Sequence, residues 1–190
     1  MELKLKGVSI NLRKLRRSDA HSLHHNVKDY EIYRYTANIP HPYKLKHALA
    51  FIPLTWKEMK KQTGYGLGIE DPDTGKIIGM ISLMKVDTKN KNAELGYWLG
   101  KKYWGKGITP EAANLILNFG FRKLGLAKIY ARVMHPNKAS ARVLQKSGFK
   151  PEGVGRRHIF KDGNWYDELR FGLLREEFAA KAHKPKSKGR

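Results

Sequence analysis

Apolar and polar positions change period several times along the chain. Residues 8–15 alternate as a strand does, and Ser18-Asp19 stands where an N-cap would precede a helix starting near Ala20. Ile39-Pro40-His41-Pro42 interrupts regular structure, and residues 44–61 return to a helical period. Three strand patterns then follow directly, over residues 65–70, 76–86 and 93–100. The turn formers Asp71-Pro72-Asp73-Thr74-Gly75 and Lys89-Asn90-Lys91-Asn92 separate them, which predicts an antiparallel meander.

Beyond Gly100 the period changes again. Ala112, Leu115, Ile116, Phe119 and Leu124 fall on one face of a predicted helix over 109–124, with Pro110 suited to its first position and Gly125 to its stop. Residues 128–134 alternate, residues 139–147 form a short helix ended by Gly148, and two last strands flank the turn Lys161-Asp162-Gly163-Asn164. The predicted order is β-α-α-β-β-β-α-β-α-β-β. It implies an α/β (α+β) fold with a mixed sheet, antiparallel first and parallel around residues 128–134.

Composition narrows the setting. The chain has 190 residues, enough for one domain over residues 1–180 with a sizeable core. Its 41% hydrophobic and 11% aromatic content is that of an ordinary globular protein. No apolar run approaches the ~20 residues that cross a bilayer, and charges break up any leader-like segment at the N-terminus. There is no cysteine, so disulfides and thiolate chemistry are excluded and the cytoplasm is the expected compartment. The net charge is +21; residues 181–190 hold five Lys/Arg and no acid and read as a disordered basic tail, so +16 stays on residues 1–180. Such a charge favours anionic ligands or a nucleic-acid surface, although adaptation to the cell interior or to a hot or salty habitat produces the same excess.

The segment Tyr103-Trp104-Gly105-Lys106-Gly107-Ile108-Thr109-Pro110-Glu111-Ala112 carries the most chemistry. Two glycines flank a lysine and a helix begins at once. Backbone N–H groups at the positive end of a helix dipole suit a phosphate or pyrophosphate.

With Ala93-Glu94-Leu95-Gly96-Tyr97-Trp98-Leu99 before it, and Asn137-Lys138-Ala139-Ser140, Lys146-Ser147-Gly148-Phe149 and Glu152-Gly153 after it, this segment resembles the acyl-CoA-binding core of the GNAT N-acetyltransferases. The similarity is greatest to the Rim-type group, which acetylates the N-termini of ribosomal proteins at alanine or serine. The resemblance implies the GNAT fold and acetyl-CoA as cosubstrate, with no metal. It implies that the pantetheine arm pairs with the backbone of Tyr97, Trp98 and Leu99. The pyrophosphate would then lie on Gly105, Lys106, Gly107, Ile108, Thr109 and Pro110, of which Pro110 supplies geometry and no N–H. Asn137 would hydrogen-bond the arm, cap the helix after it, or both.

For catalysis, Glu94 is the expected base, acting directly or through water, unless it is only a surface carboxylate. Many relatives place a base on the strand before the asparagine; that position here is Arg132, which accepts no proton. Many also place a tyrosine acid seven residues after it; that position here is Leu144. Ser140 matches the Rim-type alternative and would hydrogen-bond the leaving sulfur, with helix capping as its structural role. A backbone N–H of residues 97–99 would polarise the thioester oxygen. His21, His24 and His25 share a helix face but lack the ligands to complete a metal site and read as solvated. His41 stands in a segment resembling the family's acceptor-side loop.

The expected activity is therefore acetyl transfer to a primary amine by direct attack in a ternary complex, with a protein N-terminus as acceptor. A small-molecule amine is the alternative within the enzyme class, and a noncatalytic RNA- or ribosome-binding module on the same fold is the alternative outside it. A monomer or homodimer is expected, with no membrane association.

Overall fold

The computed structural model describes residues 3–182. Its elements in chain order are β1 (Lys4–Lys6), β2 (Asn11–Arg13), α1 (Ala20–Val27), α2 (Tyr30–Tyr33), α3 (Leu45–Lys61), β3 (Tyr65–Glu70), β4 (Ile77–Asp87) and β5 (Asn92–Leu99). After them come α4 (Ile108–Arg122), β6 (Lys128–Met134), α5 (Lys138–Ser147), β7 (Lys150–Lys161), β8 (Asn164–Leu174) and α6 (Arg175–Ala182). The predicted tail starts inside α6, and residues 183–190 lie outside the described residues.

The strands form one mixed sheet of eight in the order β1-β2-β3-β4-β5-β6-β8-β7. The meander β3–β4–β5 is antiparallel, as its turns predict, and β6 joins β5 in parallel through the α4 crossover. That parallel pairing is short. It runs from Asn92↔Lys128 to Glu94↔Tyr130, whereas β5 continues to Leu99 and β6 to Met134. Beyond Glu94 the two strands diverge.

Alternation along the strands sorts the two faces. Ala93, Leu95 and Leu99 of β5 and Ile129, Ala131 and Val133 of β6 join Ala112, Ala113, Ile116 and Leu117 of α4 in the main core. On the other face, α1 and α3 bury Leu23, Val27, Ala48 and Ile52 against Ile77 and Met80 of β4, with Trp98 packed beside them. A mean burial benefit of about 25 cal/mol per Å² makes these two layers the main source of stability.

Three local expectations are corrected by tertiary contacts. Residues 8–15 are not one strand: residues 7–10 turn, with Gly7 N–H donating to Ile10 O at 2.9 Å. Glu111 of α4 holds the turn, its carboxylate accepting from Val8 N–H at 2.6 Å and Ser9 N–H at 2.9 Å. Asp19 does not cap α1; its carboxylate binds the buried Arg13 guanidinium at 2.7 and 3.0 Å, and Arg13 also pairs with Glu70. Pro110 occupies the third position of α4, because Ile108 and Thr109 are already helical.

Candidate active site

The end of β5 offers unpaired backbone. Gly100 N–H donates to Ile78 O at 2.9 Å, so antiparallel alternation turns the N–H and C=O of Trp98 and Gly96 toward β4. It turns those of Tyr97 and Leu99 toward the divergence from β6. The Trp104 indole N–H takes the Leu99 carbonyl at 2.7 Å, which leaves Tyr97 N–H, Tyr97 C=O and Leu99 N–H facing the opening. Trp98 lies differently from its neighbours: its backbone bonds β4 and its side chain packs with α1 and α3.

The turn below follows. Gly105 and Gly107 both have φ of +76°, a conformation that costs a residue with a Cβ about 1–2 kcal/mol. A Cβ built on either glycine meets nothing within 4 Å among the described residues, so the turn is open at both glycines. Gly107 is the N-cap of α4 and makes no side-chain cap. Among the described residues the N–H groups of Gly105, Lys106, Gly107, Ile108 and Thr109 have no acceptor. Lys101, Lys102 and Lys106 are exposed around them. Free donors, a helix dipole and three cations fit a pyrophosphate, and the strand edge above fits an amide-bearing arm.

Asn137 and Ser140 sit across the divergence. Asn137 caps α5, its Oδ1 accepting from Ser140 N–H at 3.0 Å. Ser140 Oγ lies 2.8 Å from the Tyr97 hydroxyl, which is also 3.2 Å from the Ser140 carbonyl oxygen. Burial pushes the Tyr97 phenol up to about 12, so it keeps its proton at neutral pH. Leu144 is a core residue. The Tyr97–Ser140 contact was not foreseeable from spacing, since it joins residues 43 apart.

Glu94 lies on the opposite face. It is buried, and its oxygens accept from Arg132 Nε at 2.9 Å and Nη2 at 3.1 Å and from Lys85 Nζ at 2.9 Å. Burial alone would raise its pKa. The hydrogen bonds and charges of Arg132 and Lys85 outweigh that and hold the carboxyl below its ordinary value. The arginine at the strand position where relatives carry a base thus anchors the predicted base. Arg132 Nη1 also reaches the buried Glu168 at 3.3 Å, which takes Arg170 Nε at 3.1 Å. These side chains, with Lys128, Glu152 and His158, border a cavity of about 330 Å³ over β6, β7 and β8.

A side-chain latch ties the α2 region to the β7–β8 turn. Lys161, beside the β7–β8 turn, donates to Tyr33 O at 2.5 Å and Thr36 O at 2.6 Å and lies 3.6 Å from the Tyr33 ring centroid. Desolvation lowers its pKa. The Tyr33 hydroxyl donates to Asp162 at 2.5 Å. His41 packs against Tyr30 and Tyr33 with centroids 5.3 and 4.9 Å apart. Among the described residues no three His, Cys, Asp or Glu side chains are grouped to hold a metal, and no helix is long and apolar enough to cross a membrane.

A sheet opened at a parallel pair, with a glycine-built turn on one side and a charged face on the other, is the frame of an acyltransferase. The chain belongs to the GNAT acetyltransferases: the family model described as an acetyltransferase (GNAT) domain matches residues 9–150. It is an acetyl-CoA-dependent N-acetyltransferase. The uncharacterized N-acetyltransferase YoaA of Bacillus subtilis is 30% identical over 164 residues, covering 86% of this chain and 92% of its own. The spermidine N(1)-acetyltransferase of Escherichia coli K12 is 26% identical over 180 residues, 93% of this chain and 92% of its own. The ribosomal protein uS5-alanine N-acetyltransferase of the same strain is 32% identical over 111 residues, 58% of this chain and 57% of its own. Among solved structures, the microcin C7 self-immunity acetyltransferase MccE, in complex with acetyl-CoA and AMP, superposes with a TM-score of 0.78 at 25% identity. That match covers 87% of this chain and 92% of MccE.

Proposed function

We propose that this enzyme acetylates an α-amino group, that of a protein N-terminus and foremost of a ribosomal protein, by direct attack in a ternary complex. The observation that carries this reading is the charge balance of the open face. Its two buried carboxylates, Glu94 and Glu168, are already met by Arg132, Lys85 and Arg170. A polyamine requires uncompensated acidic groups for several ammonium charges, whereas an N-terminus brings one. The excess charge of +21 supports approach to an anionic assembly such as a ribosome.

The chemistry of the acceptor points the same way. A carboxylate held below its ordinary pKa is a weak base. An α-amino group, with a pKa near ~8, is roughly a tenth neutral at pH 7, against well under a thousandth for a lysine side chain. Glu94 then has only to take up a proton through water. Lys85, whose side chain is 61% exposed, shares Glu94 Oε2 with Arg132 Nη2, so displacing Lys85 would open one lone pair on that oxygen while Arg132 still holds both oxygens. Acetyl-CoA supplies the activated thioester. Tyr97 and Leu99 backbone groups and Asn137 hold its arm, residues 105–109 hold its pyrophosphate, and Ser140 donates to the sulfur.

A panel of peptides beginning with alanine or serine, free amino acids and spermidine, read by CoA release, tests the assignment. Peptide turnover at least tenfold above spermidine in kcat/KM is expected. Spermidine as the better acceptor would overturn it.

A further inference from the structure

Ser140 is tied to two other groups, and one of them, the phenol of Tyr97, has no part in the roles above. Its N–H is taken by the Asn137 side chain, and its hydroxyl meets the phenol of Tyr97. Tyr97 comes from β5 and Ser140 from α5, so the contact spans the region where β5 and β6 no longer pair. A serine hydroxyl has one proton and two lone pairs. When Tyr97 donates to Ser140 Oγ, the Ser140 proton has no other acceptor among the described residues and is free to point out of the pair. The next turn of α5 offers no substitute, because Leu144 is 1% exposed and sits in the core.

We propose that Tyr97 is a positioning residue that donates to Ser140 Oγ and so aims the Ser140 proton at the departing sulfur. This rests on the acetyl-CoA reading of the opening between β5 and β6. Tyr97 is not the acid. Its phenol, raised to about 12 by burial, would have to protonate a thiolate whose conjugate thiol has a pKa of ~8.5, a transfer uphill by roughly three orders of magnitude. The balanced step is simpler. The amine nitrogen bonds the acetyl carbon, the carbon–sulfur bond breaks with its electron pair on sulfur, and the amine proton leaves to water and Glu94. The Ser140 hydroxyl stabilises the thiolate by a hydrogen bond and keeps its proton.

The test compares Tyr97→Phe, Ser140→Ala and the double variant for kcat, KM for acetyl-CoA, pH dependence over pH 6–9 and thermal shift with acetyl-CoA. Each single change is expected to lower kcat about 5- to 10-fold, the scale of one hydrogen bond, with KM for acetyl-CoA within about twofold. The double variant should fall no more than about twofold below Ser140→Ala, since the two act as one unit. The pH profile of Tyr97→Phe should keep the wild-type shape. A wild-type kcat in Tyr97→Phe, full additivity in the double variant, or a changed alkaline limb would each overturn the proposal. A variant that loses the acetyl-CoA thermal shift together with kcat would make Tyr97 a structural support of the donor site and overturn it too. If the wild-type protein itself shows no thermal shift with acetyl-CoA, the donor reading fails first, and this outcome is distinct from the others.

Discussion

In the proposed site the donor meets mostly backbone, with the Asn137 and Ser140 side chains as the exceptions, and the acceptor meets side chains. The donor side needs Tyr97 and Leu99 amides, the N–H groups of residues 105–109 and two glycines in the left-handed region. All lie within a dozen residues of one another, on one strand and the turn that follows. The acceptor side draws Lys85, Glu94, Arg132, Glu168 and Arg170 from four strands and ties the α2 region to the β7–β8 turn through Lys161. A backbone site is inherited with the fold, because any sequence with the right glycines reproduces it. A side-chain site is rebuilt by each substitution, and the same family includes relatives named for spermidine and for a ribosomal protein.

Four measurements would break or sharpen that contrast. Gly107→Val should have the largest effect. It forces a β-branched residue to φ +76° and shifts the N–H groups of the turn. Acetyl-CoA affinity should fall on the order of 100-fold, equal to about two charge-assisted hydrogen bonds, with the melting temperature of the free protein lowered by only about 2–8 °C. Calorimetric titration showing wild-type affinity would remove the turn from the donor site. Glu94→Gln comes next. It should lower kcat roughly 10- to 100-fold while leaving the acetyl-CoA thermal shift intact. Wild-type kinetics across pH 6–9 would end its assignment as base. Lys161→Met should raise KM for a peptide acceptor about 3- to 10-fold with donor affinity unchanged; a matching loss of donor affinity would dissolve the distinction between the two sides.

The smallest effect is on stability at low pH. Glu70, Glu94 and Glu111 are all held below their ordinary pKa, against burial, by hydrogen bonds from Arg13, from Arg132 and from the Ser9 hydroxyl and backbone respectively. A depressed folded pKa adds stability that is full above the unfolded value of ~4.3 and is lost as pH falls through the folded value. Thermal melts from pH 6 to pH 3 should show the loss starting below about pH 5, and Glu111→Gln should reduce it. A flat melting temperature across that range would contradict the assigned pairings.

The same contrast sets what could be read from the sequence. Strands 65–70, 76–86 and 93–100, the α4 pattern and the glycine turn were all legible, because each depends on neighbours along the chain. The first strand was not. Its break depends on a carboxylate more than 100 positions away, as Val8 and Glu111 are 103 apart. The four-residue helix α2 is too short for periodicity to show, and α6 follows β8 with no turn signal between them. Arg132 read as the loss of a base, yet it anchors Glu94, the proposed base, 38 residues away. Lys161 read as part of a hairpin turn, and its partners lie 128 and 125 residues back.

The brief contact between β5 and β6 has a mechanical meaning. Three residue pairs, Asn92↔Lys128 to Glu94↔Tyr130, join a five-stranded plate to a three-stranded one. A donor seated in the proposed opening between these two groups of strands would bridge them where their pairing ends. Its arrival should slow amide exchange at Tyr97 and Leu99 and stiffen both plates together.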